Sequence, residues 1–282
     1  MRVLLVPNTA NPHSVAAARM LAETLGAGGY TPIVITEDSE ACGLPLSAVS
    51  RSEVGSPGLV VALGGDGTIL KAVHVLAGAD APILGVNFGQ LGFLTGADGD
   101  DLAASVSAAL AGEARVERRQ TVQAHIDVGG RRAGHYHALN EVFVGRGGGA
   151  RVVELEVSVN GTRLWRFACD GVLVATPTGS TAYALSAGGP AIAPEVRGML
   201  LVPVSAHTLK TRPLVLGPTD VVEITSPNAA RADACITVDG DAVPCRTSLD
   251  RVTVSVGDHD VRLLKLDGRG FYEVLAEKLL GD

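Results

Sequence analysis

The sequence predicts an α/β N-terminal domain with a parallel sheet, joined to a β-rich, β-sandwich-like C-terminal domain. Three observations carry that prediction. As far as Gly112, short apolar runs alternate with segments of good helix formers, the pattern of parallel strands covered by helices. Beyond Arg115 the texture changes to closely spaced β-branched runs with hairpin signals and little helix. The closing stretch from Phe271 to Leu280 has amphipathic helical spacing, suited to packing back on the first domain. The expected division is 1–112 with 270–282 for the α/β domain and 113–269 for the β-rich domain.

Val3 to Val6 is a short apolar run closed by Pro7 and reads as a first buried strand. Val15 to Leu25 is rich in helix formers and stops at Gly26, after which Ile33 to Ile35 return to the sheet. Leu59 to Leu63 is the next strand. At its C-terminal end, where open α/β sheets bind ligands, stand Gly64-Gly65-Asp66-Gly67-Thr68, and a helical run from Ile69 to Ala77 follows. Ile83 to Val86 leads into the segment Asn87 to Leu94, and Asp100 and Asp101 are placed to cap a helix running to Leu110, ended by Gly112. In the second part, strand residues His137 to Leu139 and Val142 to Val144 flank Asn140-Glu141. Val152 to Val159 ends in Asn160-Gly161, a two-residue hairpin turn, and Asp239-Gly240 marks another hairpin. Further strands are expected at Val172 to Ala175, Met199 to Val204, Val221 to Thr225, Ile236 to Val238 and Val252 to Val256.

At 282 residues the chain can bury a substantial core. Hydrophobic residues make up 46%, charged ones 19% and aromatics 4%, with 35 glycines, which describes a turn-rich globular protein with a Val, Leu and Ala core. The net charge of -7 disfavours nucleic acid as a partner. Arg115, Arg118 and Arg119 alternate with Glu113 and Glu117 and read as a solvated, mixed-charge face. No apolar run reaches the roughly 18 residues that cross a bilayer, and the N-terminal run is too short for a signal peptide, so no membrane partner and a cytoplasmic location are expected. Cys42, Cys169, Cys235 and Cys245 show neither CxxC spacing nor a histidine partner set; free thiols and no zinc site are expected.

Strand, glycine turn and helix are how proteins hold phosphates, because glycines bring backbone N–H groups close to an anion and a helix N-terminus adds unpaired donors and positive potential. Gly64, Gly65, Gly67 and Thr68 are therefore the candidate phosphate-binding residues. The turn matches neither GxGxxG nor GxxxxGK[ST], so a dinucleotide fingerprint or a P-loop is not supported. Asp66 is the odd member. A carboxylate beside phosphates repels its ligand, and its chemical use would be to accept the proton of an attacking hydroxyl; its structural use would be to cap the following helix. The block from Asp170 to Pro190 is rich in hydroxyls and glycines where a core segment would be apolar, which suits a nucleoside with its ribose hydroxyls and planar base, or else a solvated connection. Asn140-Glu141 pairs an amide and a carboxylate able to read an adenine edge and a ribose hydroxyl, although adjacent polar residues also simply form turns.

The glycine turn, the Asn87 to Leu94 segment, Asn140-Glu141, the Asp170 block and Ala206-His207-Thr208-Leu209-Lys210-Thr211-Arg212-Pro213-Leu214 together resemble the NAD kinase family in order and character. The glycine turn alone is shared with diacylglycerol kinase, sphingosine kinase and phosphofructokinase relatives; the Asp170 block makes the identification. The resemblance implies phosphorylation of the adenosine 2′-hydroxyl of NAD to NADP, with ATP and Mg2+, or a divalent metal more generally, and with inorganic polyphosphate as a donor in some relatives. It implies Asp66 as proton acceptor, Gly67 against the substrate, Asn140 and Glu141 on the adenosine, Thr181, Ala182 and Tyr183 around adenine and ribose, and Asp170 on the nicotinamide side. Ser186 matches a further ligand contact, Lys71 a basic position near the phosphates, and Arg151 and Ala168 weaker contacts. The family's habit of assembly, with β edges to protect, implies a homodimer or homotetramer. Two departures stand out: Ala206 where many members have proline, and Asp241 where many have glutamine, an acceptor in place of a group that can also donate. His207 is read as a core histidine rather than a catalytic one. A lipid kinase is the runner-up; it would need a membrane-facing apolar or basic patch, and none is evident in the sequence.

Overall fold

The computed structural model describes all residues except 90–91, 148–151, 228–233, 245–248, 267 and 281–282. The chain divides into two compact units, Met1–Arg118 with Val261–Asp282, and Arg119–Asp260.

The first unit contains, in order, β1 (Arg2–Pro7), α1 (Pro12–Ala27), β2 (Thr31–Ile35), α2 (Thr36–Cys42), β3 (Ala48–Val49), β4 (Leu59–Leu63), α3 (Asp66–Leu76), β5 (Pro82–Asn87), β6 (Ala97–Asp98) and α4 (Leu102–Ala111). Every strand pairing among them is parallel, in the order β5-β4-β1-β2-β3 with β6 on β5. β4 is buried at all five residues and β1 at all but its first, which is why these strands read as continuous apolar runs: a parallel sheet covered on both faces has no solvent side. Pro12 opens α1, Asn11 caps it by accepting from the His13 N–H at 2.9 Å, and Gly112 closes α4 in a left-handed conformation. α4 starts at Leu102 with Asp101 at the N-cap position, yet no side-chain cap bond forms there.

The second unit is antiparallel and β-rich. It contains β7 (Arg115–Val128), β8 (Arg131–Ala138), β9 (Glu141–Arg146), β10 (Val153–Val159), β11 (Thr162–Cys169), β12 (Gly171–Ala175), the one-turn α5 (Tyr183–Ser186), β13 (Met199–Val204), β14 (Leu214–Leu216), β15 (Val222–Thr225), β16 (Ala234–Val238), β17 (Asp241–Ala242) and β18 (Leu249–Lys265). One sheet runs β11-β10-β15-β18, with the β7–β8 hairpin attached to β18; the other runs β14-β13-β12-β9-β16-β17. Val122 and Ala124 of β7, Leu155 of β10 and Val252 of β18 share one core with Val142 of β9, Val172 of β12 and Leu201 of β13, the sandwich arrangement expected. Asn160-Gly161 and Asp239-Gly240 both take positive φ at two successive residues, as tight hairpins between right-twisted strands require. The mixed-charge reading of residues 113–119 needs one correction. Arg119 is 5% exposed, because a strand alternates faces and β7 cannot turn all of its charges to water. Cys42 and Cys169 are free thiols, Cys235 Sγ donates to Arg146 O at 3.1 Å, and Cys245 lies outside the described residues.

β18 ends in the first unit, where Arg262–Leu264 pair in parallel with Pro82–Leu84 of β5. The chain then forms α6 (Phe271–Leu280), which packs within the first unit: the Phe271 ring lies 6.0 Å from that of Phe93, and Lys278 Nζ stands 5.4 Å from the centre of the Phe93 ring. Among the described residues no helix is long and apolar enough to cross a membrane.

Candidate functional site

In the first unit β4 delivers the chain into a turn that only glycine fits. Gly64 has φ of +153°, and a Cβ there would collide with Thr68 Oγ1. α3 starts at once, with Gly65 at its N-cap and Asp66 as its first residue. The first amides of a helix have no acceptor within it, so this end offers donors and partial positive charge to an anion. A cavity of about 340 Å³ opens there, lined by Pro7, Asn8, Thr9, Gly65, Gly67, Thr68 and Lys71. Lys71 is already paired: its Nζ lies 2.5 Å from Oδ1 of the buried Asp38, which leaves further N–H donors for an anion.

Asp66 makes no cap bond to its own helix. Its carboxylate instead accepts from two backbone amides, Oδ2 from Phe93 N–H at 2.9 Å and Oδ1 from Leu94 N–H at 3.0 Å. A Cβ at residue 92 would strike Asp66 Oδ1, so glycine is required there too. The segment that supplies these donors is itself held. The buried Lys265 ammonium donates to the carbonyls of Thr95 and Phe93, and the Leu266 N–H donates to Gly96 O at 2.8 Å. Each Asp66 oxygen keeps acceptor capacity beyond its amide bond, so the carboxylate can receive a hydroxyl in a fixed direction. Gln90 and Leu91 of the Asn87 to Leu94 segment lie outside the described residues.

In the second unit Asn140 and Glu141 sit at the start of β9, organised by a residue from the far end of the chain. Asp239, at φ +49°, accepts from the N–H groups of Leu139 at 2.8 Å, Asn140 at 2.7 Å and Glu141 at 3.1 Å. The loop after β12 is pinned to the same place, with Thr176 N–H donating to Asn140 O at 2.8 Å and Thr176 Oγ1 to Leu139 O at 2.6 Å. Glu141 is 8% exposed, and its Oε2 is buried with no hydrogen-bond partner among the described residues. Burial, and secondarily the Asp239 charge, pushes its carboxyl up to about 7. A buried acceptor without a donor is costly unless a ligand supplies one.

The other expected residues fall around this point or further along the sheet. Thr181 and Ala182 are half-buried, Tyr183 opens α5 with its ring 5.8 Å from that of Phe143, and Ser186 is exposed at the end of α5. Asp170 precedes β12, whose far end pairs Ala175 with Glu141, so the strand's length separates Asp170 from Asn140-Glu141. Its Oδ1 lies 3.0 Å from Arg146 Nε. Ala168 is a β11 residue whose carbonyl accepts from His207 N–H at 2.9 Å, and Arg151 lies outside the described residues. His207 is exposed, which corrects the expectation of a core histidine: its backbone, rather than its ring, is tied to the strand. Asp38, Asp239 and Lys265 were not legible as site residues, since each acts on a segment distant in sequence; the Asp-Gly hairpin signal was the one pointer to Asp239.

Comparison with known proteins bears on both units. The family described as ATP-NAD kinase N-terminal domain matches residues 35–114, and ATP-NAD kinase C-terminal domain matches residues 139–266. The chain is 38% identical to a NAD kinase of Corynebacterium diphtheriae over 99% of its own length and 90% of the relative's. It is 34% identical to a NAD kinase of Heliobacterium modesticaldum, covering 98% and 97%. Yeast NADH kinase, solved in complex with NADH, superposes with a TM-score of 0.89 at 25% identity, covering 100% of this chain and 87% of that one.

Proposed function

The chain belongs to the NAD kinase family and phosphorylates NAD, and on that premise we propose that ATP donates the phosphoryl group to the adenosine 2′-hydroxyl, giving NADP, with Asp66 as the hydroxyl's proton acceptor. The observation that carries the assignment is the grip on Asp66: two amides aim its carboxylate, while the adjoining cavity is headed by a helix N-terminus and flanked by an ammonium. The α/β domain is the phosphate-handling part. Gly64, Gly65, Gly67 and Thr68 bind phosphate oxygens, with Lys71 neutralising charge beside them. Fixing the hydroxyl's direction contributes alongside removal of its proton.

The β-rich domain is the NAD-binding part. Asn140 and Glu141 hold the adenosine, and a ribose hydroxyl or the adenine amino group supplies the donor that Glu141 Oε2 lacks. Thr181, Ala182 and Tyr183 line adenine and ribose, Asp170 serves the nicotinamide side, and Ser186, Arg151 and Ala168 make outlying contacts. A dinucleotide suits this spread, because Asp170 and Glu141 mark opposite ends of β12. The cavity offers oxygen atoms from Asn8, Thr9 and Thr68 and no carboxylate among its lining residues, which fits Mg2+ arriving with the triphosphate rather than a resident ion. Bound in that way, the ion would neutralise charge on the phosphoryl oxygens. The enzyme acts in the cytoplasm on NAD and ATP, without nucleic acid or membrane as partner.

Incubation of the protein with NAD, ATP and Mg2+, reading NADP, tests the assignment; phosphorylation of a lipid with no NADP formed would overturn it. Assembly into a homodimer or homotetramer accompanies this reading, since a β-rich domain must protect its edges. Light scattering at assay concentration should give a multiple of 28.8 kDa, and a monomer mass would remove that part of the proposal.

A further inference from the structure

Four of the chain's seven histidines form one continuous cluster on the β7–β8 hairpin and β18, outside every residue given a role above. His125 and His135 are cross-strand partners with stacked rings 4.3 Å apart. His137 stands two residues further along β8, its ring 4.6 Å from His135 and 4.4 Å from His259 of β18. Alternation along β7 explains the face they share: Val122, Ala124 and Ile126 enter the core, which leaves Gln123 and His125 on the other side. Imidazoles seldom gather in this way for packing alone, because each ring carries a polar nitrogen on either flank that needs a partner.

The partners are uneven across the cluster. His125 Nδ1 faces Arg132 Nη1 at 3.1 Å, and His135 Nε2 faces Gln123 Oε1 at 3.1 Å, so both outer rings are engaged. His137 Nδ1 is buried and has no hydrogen-bond partner among the described residues. Asp258 Oδ1 lies 3.9 Å from it, too far for a hydrogen bond, and that same oxygen lies 2.8 Å from His259 Nδ1. His137, Asp258 and His259 each offer a ligand atom within 4.8 Å of the other two. A tetrahedral cation with metal–ligand bonds of 2.0–2.1 Å sets its ligand atoms about 3.3 Å apart, midway between the two separations seen here. Small side-chain rotations would bring both imidazoles and the carboxylate onto one ion.

We propose that His137, Asp258 and His259 form a binding site for a divalent first-row transition cation of the zinc class, stapling the β7–β8 hairpin to β18. Two imidazoles and one carboxylate are a nitrogen-and-oxygen donor set suited to such ions and poorly suited to Mg2+, which prefers oxygen ligands, so the site is separate from the metal that accompanies ATP. The ligands come from strands distant in the chain. A bridge between them restrains a long loop of the unfolded protein, and binding to the folded chain alone raises its stability. Its three protein ligands leave a fourth position for water.

Zinc alone, titrated into the untagged, metal-free full-length chain against a chromophoric chelator, tests the proposal. One equivalent should bind at micromolar or tighter affinity and raise the melting temperature. Cobalt in its place should give the visible absorption of a low-symmetry, four-coordinate site. Asp258 is largely exposed, so Asp258→Asn removes a ligand with little threat to folding. That change, and His137→Gln with His259→Gln, should weaken zinc binding at least about tenfold, since even outer-shell partners of a metal ligand are worth about 10–100-fold in affinity. His13→Gln, in α1, should leave it unaltered. Absence of stoichiometric zinc binding by the wild-type chain, or unchanged affinity in Asp258→Asn and the double variant, would overturn the proposal.

Discussion

The two units use carboxylates in opposite ways. In the α/β unit Asp66 has its backbone donors in place, Phe93 N–H and Leu94 N–H, and presents a fixed acceptor beside the cavity at the start of α3. In the β-rich unit the backbone donors go to Asp239, and the neighbouring Glu141 is left buried with one oxygen that has no hydrogen-bond partner among the described residues. Under the proposed function the aimed carboxylate serves a step in the reaction, whereas the unsatisfied one takes a ligand that brings hydrogen-bond donors. Position in the fold, rather than residue type, decides whether each carboxylate is satisfied by backbone donors.

The sharpest way to break this distinction is Asp66→Asn. It preserves size but removes the proton acceptor, and it sets an amide N–H2 against one of the two backbone donors. The expected result is a kcat lower by about 100-fold to 10,000-fold with NAD binding largely kept, measured by steady-state NADP formation and by NAD titration. Unaltered turnover would reduce Asp66 to a structural residue.

Asp239→Ala addresses the other unit and should act through folding. Three backbone N–H groups lose their acceptor at once, and each buried donor left unsatisfied costs about 1–3 kcal/mol, so a fall in stability of several kcal/mol is expected in thermal or denaturant melts. A loss below about 1 kcal/mol would mean that water satisfies those amides as well as Asp239 does.

Asn140→Ala and Tyr183→Ala should raise the apparent KM for NAD by about tenfold and leave that for ATP nearly unaltered, because a lost polar contact in a partly buried site costs about 1–3 kcal/mol. Equal effects on both substrates would erase the division of labour between the units.

The smallest effect concerns pH and Glu141. Its carboxyl is raised from 4.5 to about 7 in the folded chain, so between those values the folded state holds more protons than the unfolded state and stability falls as pH rises. NAD binding should run the other way. Donors from the ligand favour the ionised carboxylate, so affinity should strengthen a few-fold as pH passes through about 7, and Glu141→Gln should flatten both profiles. Calorimetric NAD titrations across that range check the sign; affinity that weakens with rising pH would contradict the role given to Glu141.

Local signals were enough for the sequence to determine the classes of structure. Apolar runs without alternation marked the buried parallel strands, glycine turns marked β4 into α3 and the Asn160-Gly161 and Asp239-Gly240 hairpins, and an acidic residue inside a phosphate-type turn marked Asp66 as the residue to explain. Where its carboxylate points was decided only in three dimensions. Whether Asp66 caps its helix or faces outward depends on amides 27 and 28 residues away, and the order around Asn140-Glu141 depends on an aspartate 98 to 100 residues away. The pairing of Lys71 with Asp38 and the meeting of His137 with His259 are likewise products of chain crossing. Periodicity and propensity report what a residue does to its immediate neighbours, whereas hydrogen bonding, burial and the pKa of Glu141 are set by whichever segments the sheets bring alongside.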